Sequence, residues 1–433
     1  MRVLIVGGGG REHALAWKLA REKGIFEVFV APGNPGIALE PKVVCTGLAA
    51  SDFSGMLRLC RSHKIGFVVV GPDQALADGA VDFFEQEGIP AFGPTQSAAR
   101  IESSKAFAKE IMRHAGIPTA RFEVFADAAP ARDFLTRVEW GKGWVVKADG
   151  LALGKGVVVC ESREEALSVV NEFMLHAAVG PAGKQIVIEE RLQGKEVSSF
   201  FFCDGGKATI LGSACDYKRI LEGDKGANTG GMGAYSPADW LDEGFTERVS
   251  AEIVRPLLAA MAERGHPFKG ILFVGLMVTA AGPKVIEFNA RFGDPETQAL
   301  LPLLDENLLP WLEACRNGKL DSLPATGPKM KPLTASVHVV LAAAGYPGAN
   351  VKKGDIIRVP PELLPQEEEG ERLAKLFFAG VARSRSLEMT TSGGRVLGLT
   401  ALASTRAEAR AKAHALVSAI TFAGAQRRAD VGA

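Results

Sequence analysis

The first twenty residues, MRVLIVGGGGREHALAWKLA, set the tightest limit on the fold. A β-rich run, RVLIV, passes straight into four glycines and then into HALAWKLARE, where Leu15 and Leu19 with Ala16 and Ala20 recur at helical spacing. A strand that turns directly into a helix is the opening of a βαβ unit, and such units need a parallel sheet covered on its faces. The pattern returns in FEVFVA, in an amphipathic stretch from Met56 to His63, in IGFVVVGP, in a helix expected at about Ala75 to Glu87, and in IPAFGP. Residues 1–102 are therefore expected to form a doubly wound parallel sheet.

A second unit starts at KAFAKEIMRHAG, a helix with Ser103 or Ser104 as N-cap, Gly116 as its stop and Pro118 just beyond. WVVKA and GVVVC flank a glycine-rich segment, a helix follows at about Arg163 to His176, and IVIEERL leads to VSSFFFCDG and ATILGSA. This reads as a small α+β module of mostly antiparallel strands. The glycine-rich stretch from Asp216 to Pro237 reads as a long functional loop. Residues 243–265 are expected to be a helix, ILFVGLMV and PKVIEFN two strands, and about Pro295 to Arg316 a further helix. After a Pro and Gly linker, residues 327–433 read as a separate C-terminal α+β domain with an Ala-rich helix from Arg406 to Ile420, and residues 103–326 as the central domain.

Fifty Lys plus Arg balance fifty Asp plus Glu, so no global field draws the chain to nucleic acid or to an anionic membrane. Six cysteines are scattered without a CxxC pair, which suggests neither a zinc site nor a disulfide framework and fits a reducing cytoplasm. The longest apolar stretch, Ile271 to Gly282, is about half a membrane span. Any anion must be held locally, and three segments are suited to hold one.

In the first loop, Gly7 and Gly9 match two glycines of a dinucleotide fingerprint, but Glu12 stands at the third and VFVAPGNPG offers no carboxylate for a ribose. A helix N-terminus with free amides remains, suited to a phosphate or carboxylate; a plain tight turn is an equal reading of this loop. KADGLALGKG departs from a P-loop, with three residues between Gly150 and Gly154 and Gly156 where Ser or Thr should stand. As a hairpin it could close over a triphosphate, Lys155 at its tip and Lys147 reaching in from the strand, or it could be an ordinary flexible tip. In VIEFNARFGDPE the strand period places Glu287, Asn289 and Arg291 on one face, a set of hard oxygen donors suited to Mg²⁺ beside a cation that could neutralise a phosphoryl group.

These segments, in this order, resemble the ATP-grasp superfamily. GGREHALAWKLA, GPTQSAARIESSKAFAKEIM, KADGLALGKGVVV, DKGANTGGMGAYSP, IEFNARFGDPETQ, SVHVVLAAAGYPG and FAGAQRRADVG resemble, nearly end to end, the phosphoribosylamine-glycine ligase family of purine biosynthesis. The resemblance implies an ATP-grasp fold for residues 103–326, with a small lid subdomain at about 119–190. It implies ligation of glycine to 5-phosphoribosylamine through glycyl phosphate, with ATP consumed and Mg²⁺ or Mn²⁺ bound, in a cytoplasmic monomer or homodimer.

By the family's pattern Lys105, Lys147, Gly154, Lys155 and Gly156 meet ATP phosphates, Glu189, Glu190 and Leu192 form the adenine hinge, and Glu196 binds the ribose. Glu287 and Asn289 would hold the metal, and Arg291, Lys218 and Asp216 would be catalytic. Gly9, Gly10, Arg11, Glu12, Asp294, Pro295 and Glu296 would line the substrate end. Gly8, Asp73, Ala214, Cys215 and Tyr217 depart from the family's usual residues, and ILFVGLMV lacks the carboxylate many ATP-grasp relatives carry. A dehydrogenase and a non-catalytic nucleotide sensor are the competing readings; the broken fingerprint weighs against the first, and the intact Lys147, Glu287, Asn289 and Arg291 set against the second.

Overall fold

The structure, a computed structural model, describes residues 1–152, 156–332, 334–365 and 373–433. Gly154, Lys155 and the acidic run Glu367 to Glu371 lie outside the described residues.

The N-terminal region is a five-stranded sheet in the spatial order Val43–Cys45, Glu27–Pro32, Arg2–Gly7, Phe67–Val70, Ala91–Phe92, and every pairing is parallel. Because the chain winds first to one side of Arg2–Gly7 and then to the other, the order reverses between that strand and Phe67–Val70. Ligands of open parallel sheets bind at such reversals, beyond the carboxyl ends of the strands. The loops that begin at Gly7 and Gly71 leave the sheet there. In place of one helix at 75–87 the chain forms Asp73–Ala77 and Ala80–Gln86. Gly79 divides them at φ +84°, a left-handed conformation that costs glycine little and stops the first helix.

Helix Lys105–His114 is capped by Ser104, whose hydroxyl accepts from the Phe107 N–H at 3.1 Å, and Ser103 closes the preceding helix Gln96–Ser103. A four-stranded antiparallel sheet follows, ordered Phe122–Phe125, Ile186–Glu190, Trp144–Ala148, Val157–Cys160. Helices Ala128–Arg137 and Arg163–Met174 cover it, and Leu135, Trp144, Val146 and Val170 give it a small core of its own.

The largest sheet has eight strands, all antiparallel, in the order Gly282–Asn289, Lys269–Thr279, Lys195–Asp204, Ala208–Asp216, Gly233–Ser236, Ala335–Ala342, Arg395–Ala403, Ala374–Phe378. The last three strands belong to the C-terminal segment, so backbone hydrogen bonds run unbroken from the Glu287 strand to Phe378. The stretch 216–237 is not a long loop. It contains a hairpin, Arg219–Leu221 with Lys225–Asn228, and the short strand Gly233–Ser236 that joins the two halves of the sheet. The helix expected over 295–316 is also divided, into Glu296–Leu300, a 3₁₀ turn at Leu301–Leu303 and Leu309–Asn317. Pro302 and Pro310 lack the N–H that a continuing helix needs, and each sits in the first turn of a new segment.

Candidate active site

A cavity of about 480 Å³ lies where the N-terminal sheet's switch point, the four-stranded sheet, the edge of the eight-stranded sheet and the C-terminal segment converge. Its charged groups divide into a lysine end and an arginine end.

At the lysine end, Trp144–Ala148 presents Lys147, while Lys105–His114 presents Lys105 and, one turn on, Lys109. Lys147 Nζ lies 3.0 Å from Glu189 Oε1 and donates to the Ile286 carbonyl at 2.8 Å. Lys109 Nζ lies 3.2 Å from the same Glu189 oxygen and donates to the Thr119 hydroxyl at 2.7 Å, which in turn donates to the Val285 carbonyl. Two ammoniums thus share one buried carboxylate. Burial outweighs that partner at Lys109 and pushes its ammonium pKa down to about 8. Lys105 donates to the Gly150 carbonyl at 3.0 Å; burial lowers its pKa too, with Glu287 opposing.

The strand's alternation turns Glu190 away from Glu189, toward Arg121 at 2.7 Å and Lys284 at 3.8 Å. Leu192 sits in the irregular segment beyond. Glu196 reaches the group through Lys218, whose Nζ lies 3.0 Å from Glu196 and 2.7 Å from Asp216. Gly156 lines the cavity, and its carbonyl accepts from the Ala148 N–H at 2.7 Å. Asp149, at the root of the glycine-rich hairpin, accepts from the Ser104 hydroxyl and the Ala106 N–H, tying that root to the lysine-bearing helix.

Between the two ends stand Glu287 and Asn289, their side chains 3.5 Å apart on one strand face. Burial raises the Glu287 carboxyl, but Lys218, Lys147 and Lys105 together outweigh it and hold it below the usual range, so it is ionised. Opposite, Gly275 leaves room: a Cβ there would lie 3.1 Å from Glu287 Cγ. Phe273, paired with Asn289, brings no carboxylate. No cluster of three or more His, Cys, Asp or Glu able to hold a metal occurs among the described residues. An ionised carboxylate beside an amide oxygen fits a hard dication that draws its remaining ligands from phosphate and water.

At the arginine end, Glu102 uses one oxygen to accept from the Ala290 N–H at 2.7 Å and the other to pair with Arg291 at 2.9 Å. Burial alone would weaken the Arg291 charge; Glu102, Asp73, Glu296 and Asp294 reverse that and hold it fully protonated. Arg11 donates to the Phe292 carbonyl at 3.3 Å and pairs with Glu12. Glu12 itself is committed inward, accepting from the Gly9 N–H at 2.8 Å, so it caps its own helix. Gly9 faces Asp294, and Gly10 packs so closely on Gln298 that a Cβ would approach its amide to 2.5 Å. Asp294 accepts from Gln298 at 2.7 Å and pairs with Arg395 at 3.3 Å, while Pro295 packs under Gly231. Glu296 is buried in the cavity wall, and burial followed by the neighbouring Asp216 pushes its carboxyl up to about 7. Burial raises Asp216 as well, against the pull of Lys218.

Lys109, Glu102, Tyr346 and Arg395 line the cavity without having been singled out from the sequence. Lys109 alone had a signal, its four-residue spacing from Lys105. His13 lies outside the cavity, buried between Glu40 and the Phe378 N–H, and Cys215 is a buried thiol that burial pushes above its ordinary pKa. Of the other departures, Tyr217 uses its hydroxyl to accept from the Gly432 N–H, and a Cβ at Gly8 would lie 2.6 Å from the Gly33 carbonyl oxygen.

The chain is similar to known proteins along nearly its whole length. The sequence models of the phosphoribosylglycinamide synthetase N domain, ATP-grasp (A) domain and C domain match residues 1–102, 103–297 and 336–433. A phosphoribosylamine–glycine ligase of Neisseria meningitidis serogroup B is 45% identical over 432 residues, covering 100% of this chain and 98% of that protein. One from Chlorobaculum tepidum is 45% identical, covering 100% of this chain and 99% of that protein. The crystal structure of a Thermotoga maritima phosphoribosylamine–glycine ligase, 33% identical, covers 99% of this chain and 100% of that chain at a TM-score of 0.84.

Proposed function

The chain belongs to the phosphoribosylglycinamide synthetase family, and from that premise we propose how its cavity divides the work of the reaction. The reaction is ATP-dependent ligation of glycine to phosphoribosylamine in purine biosynthesis. In our reading the lysine end takes ATP: Lys105 and Lys147 meet the phosphates as point charges, and Lys109 and Glu189 set the charge beneath them. Gly156, with Gly154 and Lys155, would cover the phosphates from the hairpin side, and Glu189, Glu190, Leu192 and Glu196 would border the nucleoside.

Glu287 and Asn289 are the residues we assign to a divalent metal, Mg²⁺ or Mn²⁺. When bound, such an ion neutralises phosphoryl oxygens. Arg291, fixed by Glu102, stabilises charge on the transferring phosphoryl group while a glycine carboxylate oxygen attacks the γ-phosphorus and ADP leaves. The amine of phosphoribosylamine then attacks the carbonyl carbon of glycyl phosphate, the C–O bond to phosphorus breaks, and phosphate departs. Glu296, poised near neutrality beside Asp216 and Lys218, takes up the proton the amine sheds. Gly9, Gly10, Arg11, Asp294 and Pro295 shape the phosphoribosylamine side. Glu12 serves that side by fixing the Gly9 loop. We assign the enzyme to the cytoplasm, a setting its six free cysteines suit.

One observation supports the two-step order: among the described residues lining the cavity there is no Ser, Cys or His, and the one Thr among them, Thr229, has its hydroxyl engaged with the Lys218 carbonyl, so we place the activation on the substrate. Glycine labelled with ¹⁸O in its carboxylate should deliver one labelled oxygen to the released phosphate. Unlabelled phosphate, or a phosphorylated or glycylated enzyme trapped by rapid quench, would overturn the order.

A further inference from the structure

Arg428 is 1% exposed, although it lies five residues from the C-terminus on a surface segment. An arginine so buried must have its polar nitrogens occupied, and each of the three is. Nε and Nη2 form a two-pronged pair with Asp430 at 2.8 and 2.6 Å, while Nη1 donates to the Arg219 carbonyl at 3.0 Å and to Asp224 at 2.9 Å. The guanidinium also lies 4.8 Å from the centre of the Tyr217 ring.

The surrounding backbone repeats the same grip. The Gly223 N–H donates to Asp430, the Ala429 N–H to Glu222, and the Gly432 N–H to the Tyr217 hydroxyl. Val431 is fully buried, and a Cβ at Gly233 would come within 2.6 Å of it. The gripped segment is the hairpin Arg219–Leu221/Lys225–Asn228. Its ladder is short and interrupted by a register shift, and Leu221 at its tip is exposed. A hairpin of that kind is marginal without outside support. Its inner end carries Lys218 and Thr229 into the cavity: the Thr229 N–H and hydroxyl both donate to the Lys218 carbonyl, at 2.7 and 2.8 Å.

We propose that the C-terminal tail, through Arg428, is a positioning clasp that holds this hairpin so that Lys218 stands beside Asp216 in the active site. The tail does not touch the reacting atoms. It acts through the hairpin, and its kinetic effect rests on the role given to Lys218 above.

Arg428→Met should raise hydrogen exchange at residues 219–229 at least about tenfold while the strands of the N-terminal sheet keep their protection. In the same variant kcat should fall about tenfold with the KM for ATP within about twofold of wild type. Arg428→Lys, which keeps one ion pair but not the fork, should fall between, and Arg427→Met, at an exposed neighbour, should change neither readout. Unchanged exchange in the hairpin would overturn the clasp, as would loosening spread evenly over the protein. Loosened exchange with unchanged kcat would overturn its part in turnover. Full activity in a separate Lys218→Met variant would instead remove Lys218 from the mechanism while leaving the exchange result to decide the clasp.

Discussion

The two ends of the cavity hold positive charge by opposite means. At one, Lys105, Lys109 and Lys147 crowd around Glu189 and Glu287, and burial draws the first two toward neutrality. At the other, Arg11, Arg291 and Arg395 are each fixed by a carboxylate or a carbonyl, and the acids around Arg291 hold it fully protonated. Ammoniums on flexible stems can follow a polyphosphate as it binds and leaves. Guanidinium forks fixed in place suit charge that develops at one position. The contrast places cations whose charge responds to pH at the nucleotide end and cations that act through fixed geometry at the substrate end.

The sharpest way to break this contrast is at Arg291. Arg291→Met should lower kcat by roughly 10²–10³-fold while leaving the KM for ATP within about threefold, and Arg291→Lys should restore little, because the fork rather than the charge is at stake. Recovery of most of the rate by lysine, in steady-state assays, would make the two ends alike.

Glu296 comes next. With its carboxyl near 7, turnover should fall as pH drops below about 7, because the protonated acid cannot take the amine's proton. Glu296→Gln should lie about 100-fold lower and lose that limb of the profile, and a variant that kept the limb would point to another group. Glu287→Ala should cost about tenfold to 100-fold in metal-dependent turnover with an unchanged thermal midpoint, since the apolar face of its strand is untouched. A loss of rate matched by a loss of stability would make the residue structural.

The smallest effect belongs to Lys109. Its native pKa of about 8 lies below the ordinary 10.5, so between those values the unfolded chain holds a proton that the native protein has released. Stability from this group therefore rises with pH across that window, by on the order of 1 kcal/mol per unit at most. Chemical denaturation of wild type against Lys109→Met at pH 7.5 and 9.5 should show wild type gaining relative to the variant, and a relative loss would mean that Lys109 stays charged.

What the sequence made legible follows from how local each signal is. Glu287 and Asn289 share one strand, so a period of two is enough to place them on one face, and Arg291 follows just beyond the strand's end. Lys147 lies beside a glycine-rich run and Lys105 at a helix start, both local features. Glu102 and Arg395 gave no such sign, because each matters only through a partner some 190 or 100 positions away. Lys109 offers only its four-residue spacing from Lys105, because its partner Glu189 lies far along the chain. The stretch 216–237 reads as a loop because it is poor in apolar residues; its strand Gly233–Ser236 pairs with Ala335–Ala342 and its hairpin meets the tail, partners that no local pattern reveals. Gly79 and two prolines divided helices whose apolar spacing alone would have carried them further.

The eight-stranded sheet has a consequence for synthesis. Arg395–Ala403 lies between Ala335–Ala342 and Ala374–Phe378, so the sheet lacks an interior strand until residue 403 has been made. The N-terminal sheet has all five of its strands by Phe92. At roughly 5–20 residues per second, about 3–12 seconds separate the completion of Ala335–Ala342 from that of its partner Arg395–Ala403. During that interval Ala335–Ala342 presents an apolar edge to the cell, so chaperone occupancy on the emerging chain should concentrate on lengths between about 340 and 400 residues.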